Sequence, residues 1–305
     1  MKAARYTSYG APEVVKITDM DKPRPKPDEV LVKVLATTVT SGDCRLRASD
    51  FPPLFWLPAR LLFGLFKPKK QILGHEFVGR IEAIGNRVTS IRTGDHVLGT
   101  TTMLPTGAHA EYVCVPQTWK HGVLEVIPAA MAQKEIAALP IGAMTAFFLL
   151  DKAGLAKDQN LLVYGASGSV GSYAVQLGKN SGAKVTAVCS RPNFDMVKSL
   201  GADHVIDYTE TKYHKGETAY DVIFDAVGKT SKKLAKKVLR PEGNFVSVNM
   251  ITQEKSAQLK TVIALYQSGK LTSYIDREFD LNDIVKAHHY VDSGRKKGNI
   301  LVTFS

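Results

Sequence analysis

A short glycine-rich run near the middle of the chain limits the possible folds more than any other part of the sequence. It follows a predicted buried strand, Asn-Leu-Leu-Val-Tyr at 160–164, and leads into a predicted helix from Ser172. In that context glycines let the backbone approach a pyrophosphate and let the helix pack close to its strand, while the helix N-terminus offers N–H groups to the anion. Ala166 departs from the usual glycine but still fits the turn. The run predicts a dinucleotide site formed by Gly165, Ala166, Ser167, Gly168, Ser169, Val170 and Gly171.

Buried-strand patterns and helix-length segments alternate around this run. The strand patterns lie at 160–164, 184–188, 221–225 and 244–248. Their alternation with helix-length stretches indicates parallel βαβ units in a doubly wound sheet. The chain before residue 119 is instead rich in short strand patterns separated by turn residues. We therefore predict an α/β protein with two domains, one formed by residues 1–118 with 271–305 and the other by residues 119–270.

The end of the second strand of this sheet distinguishes between the two nicotinamide dinucleotides. Enzymes that use NAD place a carboxylate there to bind the ribose hydroxyls, but residues 189–193 read Cys-Ser-Arg-Pro-Asn. Ser190 and Arg191 can instead accommodate a 2′-phosphate, which a guanidinium binds well. The first acid nearby, Asp195, falls in the next predicted helix. The sequence favours NADPH over NADH, with a purely solvent-facing Arg191 as the alternative.

Charge and cysteine content bear on partners and compartment. The net charge is +11, but the basic residues lie in short clusters at 67–70, 232–237 and 295–297 without interleaved aromatics. We therefore expect solvated faces and no nucleic-acid partner. Three isolated cysteines indicate a reducing compartment, and the N-terminus lacks a signal-peptide pattern. The most apolar segment, 51–66, is too short to span a bilayer, so we predict a cytoplasmic protein with no membrane partner.

Further motifs, in order along nearly the whole chain, are similar to those of one enzyme family. They are Tyr9-Gly-Ala-Pro-Glu-Val, Gly74-His-Glu-Phe-Val-Gly, Thr93-Gly-Asp-His-Val-Leu-Gly, Gly107-Ala-His-Ala-Glu-Tyr-Val, Leu200-Gly-Ala-Asp-His-Val-Ile-Asp-Tyr and Phe224-Asp-Ala-Val-Gly. Through them the chain resembles the medium-chain dehydrogenase/reductase superfamily, most closely its quinone-oxidoreductase-like branch. The resemblance implies a GroES-like β-rich catalytic domain split around a Rossmann domain. It also implies cofactor contacts from Thr145, Tyr208, Ala226, Val227 and Gly228.

The resemblance includes the Gly-His-Glu signature of zinc alcohol dehydrogenases, but the other zinc ligands are missing. A catalytic zinc needs three protein ligands, and the family usually supplies two cysteines with the histidine. His75 is present, whereas the cysteine positions fall near Thr40 and near Leu139-Pro140, and Cys44 is out of register. The four-cysteine lobe that binds structural zinc is absent as well. We therefore predict no metal site and interpret His75 as a hydrogen-bonded, partly buried residue.

Without a Lewis acid a plain alcohol is hard to dehydrogenate, whereas a conjugated C=C bond or a quinone ring can still accept hydride. The sequence and the resemblance together predict an NADPH-dependent oxidoreductase that transfers hydride to a quinone or an α,β-unsaturated carbonyl without zinc. Thr40 and Asp43 are the catalytic candidates, for contacting or orienting a substrate oxygen. The alternatives are a strand-end Thr40 without a chemical role and a purely structural Asp43. The competing functions are a zinc-dependent alcohol dehydrogenase and a non-catalytic NADPH-binding or nucleic-acid-associated protein.

Two departures from the family pattern bear on substrate and assembly. Residues 51–66 form a longer apolar segment than most relatives have. We expect this segment either to cap a substrate pocket through Phe55, Trp56 and Phe63, or to cover the core or a subunit interface. After 244–248 a single helix-length segment precedes Gly269, so we predict a Rossmann sheet without its last strand. That edge often pairs subunits in relatives, so a homodimer is left open.

Overall fold

A computed structural model describes residues 1–131, 133–215 and 219–304. The chain divides into two compact units, Met1–Pro140 with Ile275–Ser305, and Ile141–Tyr274. The first boundary lies later along the chain than the one expected from the sequence. The reason is that the strand Leu124–Ile127 pairs with His96–Thr100, and that the helical turns at Lys134–Ala138 contact the strand Glu29–Thr38.

The secondary structure follows the predicted order. The strands are β1 Lys2–Tyr6, β2 Val15–Asp19, β3 Glu29–Thr38, β4 Glu76–Ile84, β5 His96–Thr100, β6 Tyr112–Pro116, β7 Leu124–Ile127, β8 Asn160–Tyr164, β9 Lys184–Cys189, β10 His204–Asp207, β11 Tyr220–Asp225, β12 Leu239–Ser247, β13 Ile275–Asp280 and β14 Asn299–Thr303. The α-helices are α1 Ser41–Ala48, α2 Pro53–Phe63, α3 Leu139–Lys152, α4 Ser169–Asn180, α5 Phe194–Ser199, α6 Lys232–Ala235, α7 Ser256–Gln267 and α8 Ile284–Asp292. Short 3-10 turns lie at Pro12–Val14, Ala129–Met131, Lys134–Ala138, Arg191–Asn193, Tyr213–Lys215 and Leu281–Asp283.

The first unit is built on a mainly antiparallel sheet. Six of its strands lie in the order β13–β14–β3–β4–β5–β7, and β6 also pairs with β3. The strands β1 and β2 form a separate antiparallel ladder. Strand β3 is buried over most of its length, as its nearly continuous apolar sequence predicts. Its valines pack in one core cluster with Phe77 and Ile81 of β4.

Helices α1 and α8 share a second apolar cluster of this unit. Leu46 of α1 is buried there with Ile284 and Val291 of α8. The almost completely buried Arg47 donates to a carboxylate oxygen of Asp292 at 2.6 Å. This ion pair and the apolar contacts hold α1 against α8, and two of the predicted site residues lie at the start of α1.

The second unit contains a parallel sheet with the strand order β10–β9–β8–β11–β12. The first strand of the unit, β8, lies between β9 and β11, so the winding direction reverses between β8 and β11. In doubly wound sheets, ligands bind at the carboxyl ends of the strands that flank such a switch point. The glycine-rich turn follows β8, and the turn at 226–228 follows β11. The predicted doubly wound sheet is confirmed.

No sixth strand joins this sheet within the residues that the structure describes. After β12 the chain forms α7 and then β13, and β13 pairs with β14 in the first unit's own sheet. The predicted loss of the last Rossmann strand is therefore confirmed for these residues. The homodimer stays a prediction.

Most of the apolar segment at 51–66 forms a helix, α2. Pro53 occupies the first turn, where the missing N–H costs no hydrogen bond, and Gly64, with φ at +124°, ends the helix. None of the residues of α2 is buried. Among the described residues, no helix has both the length and the apolar character that crossing a membrane needs.

Candidate active site

The glycine-rich turn contains two glycines that the protein's own packing requires and one that it does not. Gly165 has φ at +80°, and a Cβ there would lie 2.5 Å from the Val227 side chain. A Cβ at Gly171 would lie 2.2 Å from the carbonyl oxygen of Gly165. At Gly168, with φ at −79°, a Cβ would meet that same oxygen at an ordinary 3.5 Å. Packing gives no reason for glycine at 168, whereas close approach of a pyrophosphate does.

Backbone hydrogen bonds decide which residues of the turn can contact an anion. The N–H groups of Gly165 and Ala166 both donate to the carbonyl of Val188, at 3.0 and 3.1 Å, and the Ala166 side chain is fully buried. The prediction that Ala166 binds the cofactor is therefore wrong, because neither its N–H nor its side chain is available. Helix α4 begins at Ser169, and a helix leaves the N–H groups of its first turn without intrahelical acceptors. The N–H of Gly168 donates to the carbonyl of Gly165 at 3.2 Å, so the N–H groups suited to an anion are those of the first turn of α4, which Gly168 lets the anion approach.

Asn193 connects the glycine-rich turn to the end of β9. Its side-chain amide donates to the hydroxyl oxygens of Ser167 at 3.2 Å and Ser190 at 3.1 Å. Two serines that were predicted separately are thus brought together beside one amide. Sequence reasoning missed Asn193, although its position three residues after Ser190, in a short helical turn, was an available signal.

Arg191 follows Ser190 with a side chain that is 76% exposed, and its guanidinium lies 3.5 Å from the exposed carboxylate of Glu210. An exposed pair of this kind contributes only about 0–1 kcal/mol, so a phosphate could replace Glu210 as the partner. A second acid at this edge, Asp207, already accepts N–H groups of Arg191 and Thr209. Hydrogen bonds from Thr209 hold the pKa of Asp207 below its usual range. Asp195 lies in the first turn of α5, as predicted.

A buried carboxylate that sequence reasoning missed shapes the turn after β11. Asp225, the last residue of β11, is completely buried. It accepts the backbone N–H groups of residues 227–229 at 2.9 to 3.3 Å and the hydroxyl of Ser247 at 3.0 Å. These bonds fix the turn that contains three predicted cofactor contacts. Because Val227 lies against Gly165, the turns after β8 and β11 meet at the switch point.

Thr145 and Tyr208, the remaining predicted cofactor contacts, are positioned by neighbouring elements. Thr145 is half-buried in α3, one turn after Gly142. A Cβ at Gly142 would lie 2.7 Å from the hydroxyl of Ser169, so α3 passes close to the start of α4. Tyr208 directly follows β10, and its side chain is exposed. Their cofactor roles stay predictions.

In the first unit, Thr40 and Asp43 form the N-terminal cap of α1. Thr40 Oγ1 accepts the N–H of Asp43 at 3.0 Å, and Asp43 Oδ2 accepts the N–H of Thr40 at 2.9 Å, which is a reciprocal capping box. The Thr40 hydroxyl also donates to Oδ2 at 2.6 Å. Because its proton is already used, Thr40 is not free to donate to a substrate oxyanion as predicted. The structure favours the structural alternative for Thr40.

The second carboxylate oxygen of Asp43 faces the Gly-His-Glu motif. Oδ1 accepts the N–H of Gly74 at 2.8 Å and lies 2.8 Å from Nδ1 of His75. Burial raises the pKa of Asp43, but the charge of His75 and the hydrogen bonds from His75 and Thr40 hold that pKa well below its usual range. Asp43 is therefore an anion, and Nδ1 of His75 is the donor. Since Asp43 is completely buried, it can orient a neighbour, but the predicted direct contact with a substrate is wrong.

Three histidines lie around this carboxylate, and His75 is the accessible one. Burial lowers the pKa of His109, and lowers that of His288 to about 3. Nδ1 of His288 contacts Sγ of Cys44 at 3.3 Å, and burial raises the pKa of that thiol. The His75 side chain is 22% exposed, in keeping with the predicted partly buried, hydrogen-bonded residue. With Nδ1 committed to Asp43, Nε2 is the His75 nitrogen that can exchange a proton with an external partner.

A catalytic zinc does not fit these residues. Over the described ranges, no three Asp, Glu, Cys or His side chains come together in a group that could hold a metal ion. The zinc enzymes of the family have a cysteine ligand near two positions of this chain. One is occupied by Thr40, which caps α1, and the other by Leu139 and Pro140, which begin α3. Cys44, the nearest thiol in sequence, is directed to His288. One histidine without thiolates is a poor zinc site.

The aromatic residues proposed to line a substrate pocket are separated. Phe63 packs on the core shared by α1 and α8, with its ring stacked on Phe51 at 5.9 Å between centroids. This contact favours the alternative that the segment covers the core, and the role of Phe63 in a substrate pocket stays a prediction. Phe55 and Trp56 are exposed on α2. Two surface cavities of about 270 and 310 Å³ are lined by other residues.

Comparisons with known proteins agree with this arrangement. Residues 26–127 match the alcohol dehydrogenase GroES-like domain, and residues 169–280 match the zinc-binding dehydrogenase family. The chain is 30% identical to quinone-oxidoreductase QR1, chloroplastic, of Triphysaria versicolor, over 99% of the chain and 98% of that protein. It is 27% identical to the NADPH-dependent alkenal/one oxidoreductase, chloroplastic, of Arabidopsis thaliana, over 99% of the chain and 79% of that protein. The quinone oxidoreductase from Coxiella burnetii has the same fold, with a TM-score of 0.85, 24% identity and 99% coverage of both chains.

A doubly wound dinucleotide-binding sheet and a GroES-like β-rich unit together define a nicotinamide-dependent dehydrogenase or reductase. The chain belongs to the medium-chain dehydrogenase/reductase superfamily, in its quinone-oxidoreductase-like branch. The predicted family, the fold class and the assignment as an oxidoreductase with a nicotinamide cofactor are confirmed.

Proposed function

We propose that this protein is an NADPH-dependent reductase of quinones or α,β-unsaturated carbonyl compounds that works without zinc. The observation that carries the proposal is the Asp43–His75 pair. A buried anion lies 2.8 Å from Nδ1 of a partly buried histidine, which leaves Nε2 as the nitrogen that can carry and transfer a proton. The names of the two relatives, one a quinone oxidoreductase and one an alkenal/one oxidoreductase, support the same substrate class.

NADPH is favoured over NADH by the end of β9. Arg191 offers an exposed guanidinium beside Ser190, and its present partner, Glu210, is itself exposed. Asp207 is already hydrogen-bonded within the protein, so it does not take the place of the ribose-binding carboxylate of NAD enzymes. Arg191 would bind the 2′-phosphate, and the first turn of α4 would bind the pyrophosphate.

The chemistry needs one hydride and one proton. NADPH, when bound, would supply the hydride. An enone would accept it at its β-carbon, and its C=C electron pair would move towards the carbonyl oxygen. His75 then donates a proton from Nε2 to the resulting enolate, or to the oxygen of a reduced quinone, and recovers its proton from water. Asp43 stabilises the charged imidazole before transfer and fixes its tautomer. No plain alcohol has to lose a proton, so no Lewis acid is required.

The test is an NADPH-oxidation screen across quinones, enals, enones, aldehydes and alcohols, with NADH as comparison and with metal analysis of the purified protein. We expect turnover of conjugated acceptors, insensitivity to chelators and less than one equivalent of zinc. Stoichiometric zinc with alcohol oxidation would establish the zinc-dependent alternative. Salt-sensitive RNA binding without turnover of any acceptor would establish the non-catalytic one.

Substitution of His75 tests the proton-donor role directly. His75→Asn keeps a donor near the Nδ1 position but removes Nε2, so we expect stability to hold and kcat to fall by about 100-fold. His75→Ala should regain activity when imidazole is added. The matched control is His121→Ala, an exposed histidine of the same unit, which should behave like wild type. Full activity of His75→Asn would show that another group supplies the proton.

Two further expectations belong to this proposal. A cytoplasmic location stays a prediction, because the relatives' names place them in the chloroplast. The homodimer also stays a prediction. The sheet ends at β12, where relatives have the last strand that often pairs subunits, so the mode of pairing should differ from theirs.

A further inference from the structure

The apolar face of α2 is directed to solvent. Leu54, Leu57, Pro58, Leu61 and Leu62 follow helical spacing i, i+3, i+4, i+7 and i+8 and therefore form one stripe. All five are exposed, Leu54 at 83%. Helices of soluble domains normally bury such a stripe. We call these five residues the outer face of α2.

The opposite side of α2 is fastened to the first unit, so the outer face is held outward. The Tyr9 hydroxyl donates to the carbonyls of Phe63 and Gly64 at 3.0 and 2.9 Å. The Arg60 guanidinium lies 4.0 Å from the centroid of the Tyr9 ring, and Phe63 stacks on Phe51. Because these contacts fix the inner side, exposure of the outer face follows from the fold of the unit itself.

The surroundings of the outer face are apolar and cationic. Leu65 and Phe66 extend it beyond the helix, with Phe66 at 89% exposure. Arg60, Lys67, Lys69 and Lys70 lie in or just after the helix, and no acidic residue occurs between Asp50 and Glu76. The Lys69 ammonium donates to the last carbonyls of α2, those of Leu61 and Leu62 at 3.1 Å. An exposed apolar stripe beside cations, with Trp and Phe at its margin, is typical of a helix that lies in a membrane interface.

We propose that the outer face of α2 docks the protein on the surface of an anionic lipid bilayer. Eleven residues span about 16 Å as a helix, about half the hydrocarbon thickness, so α2 can lie in the interface but cannot cross it. A bilayer also fits the charge better than a second copy of this chain. Two copies face to face would bring like cations together, whereas anionic headgroups attract them. The earlier expectation of no membrane partner considered spanning segments only.

The test is co-sedimentation of the nucleotide-free protein with vesicles of phosphatidylcholine, with and without about one third phosphatidylglycerol. The assay contains neither NADPH nor an acceptor, so its result is separate from the proposed enzymatic function. We expect binding to the anionic vesicles, and a partition coefficient about tenfold lower for Leu54→Gln/Leu57→Gln/Leu61→Gln. Lys67→Gln should lower it about fivefold, since each cation near an anionic surface contributes about that factor.

Matched controls place the effect on α2. The controls are Ile251→Gln and Lys233→Gln, which should bind vesicles as wild type does. Ile251 is 89% exposed in the second unit, and Lys233 is exposed in α6.

Trp56 gives a local readout of binding, because its fluorescence should shift to the blue and be quenched by brominated lipid. Trp56→Phe should remove that signal and leave Trp119, whose indole N–H donates to the Thr102 carbonyl. Equal binding of the triple variant and wild type, or no binding by either, would overturn the proposal. Loss of a dimer in the triple variant without vesicle binding would instead assign the face to a second copy.

Discussion

Replacing Gly168 and Gly171 by alanine, one at a time, should separate the glycine that binds cofactor from the glycine that permits packing. At 168 the backbone has φ at −79° and ψ at 177°, which alanine adopts freely, and the new Cβ meets only a carbonyl oxygen at 3.5 Å. At 171 the new Cβ would lie 2.2 Å from the Gly165 carbonyl oxygen. The first change should therefore alter binding, and the second should alter folding.

The magnitudes follow from these contacts. For Gly168→Ala, the lower entropy of the unfolded chain stabilises by about 0.4–1 kcal/mol, and the poorer N-cap costs a similar amount, so apo stability should change little. The Cβ stands where a pyrophosphate approaches, and such overpacking costs about 1–3 kcal/mol, or about 5- to 150-fold in the Kd for NADPH. For Gly171→Ala the helix must shift from its strand, so the same overpacking cost appears in apo stability. The better helix propensity of alanine recovers only about 1 kcal/mol of it.

Two measurements on each variant check this. Fluorescence titration gives the Kd for NADPH, and thermal unfolding without nucleotide gives the apo stability. We expect Gly168→Ala to unfold at the wild-type temperature and to bind NADPH weakly, and Gly171→Ala to unfold several degrees lower. Wild-type affinity in Gly168→Ala would mean that the dinucleotide does not approach this turn closely, which would remove the basis for the assigned cofactor site.

Two predictions concern charged residues. Arg191→Ala should raise the Kd for NADPH about tenfold and leave that for NADH unchanged, because the guanidinium would contact only the 2′-phosphate; an equal change for both dinucleotides would place Arg191 elsewhere. Asp43→Asn should destabilise the protein by about 2–4 kcal/mol at neutral pH, because at least one buried N–H then faces an amide group instead of a carboxylate. The pKa of Asp43 is depressed by folding, so its contribution to stability is present above the unfolded value near pH 4 and disappears as the pH falls through the folded value. Urea unfolding at pH 7 and pH 3 should show the gap between wild type and Asp43→Asn closing at the lower pH; a constant gap would contradict the assigned ionisation.

The fold could be predicted from local patterns because each strand and helix carries its own periodicity. The strands β8 to β11 coincide with apolar runs to within a residue or so, and the contact that requires glycine at 171, with the Gly165 carbonyl, lies within a single strand–turn–helix unit. The segment at 51–66 was harder. Its apolar character suggested burial, but composition alone does not indicate which side of a helix packs against the protein. The inner side of α2 is held by a hydrogen bond from Tyr9, which is distant in sequence.

The site was predicted less completely, because its organising groups act through contacts between distant segments. Neither Asp225 nor Asn193 was singled out as a site residue. Asp225 nevertheless fixes the turn after β11, and Asn193 links the turns that follow β8 and β9. Thr40 and Asp43 were singled out as possible substrate contacts. Their spacing of three residues at the start of a helix is also the spacing of a capping box, and the structure shows that the cap uses their hydrogen-bonding groups.

The Gly-His-Glu signature can persist in this chain for reasons that involve no metal. Gly74 has φ at +91°, and a Cβ there would lie 2.5 Å from the His109 ring. His75 completes the donor set of a buried carboxylate. Glu76 is buried and accepts the hydroxyl of Thr38 at 2.6 Å. Each residue of the motif is thus fixed by a contact within the first unit that involves no thiolate position, so replacing those positions leaves the motif intact. What remains is a histidine oriented by an anion, and an oriented imidazole can still transfer a proton where the family's zinc enzymes polarise an oxygen.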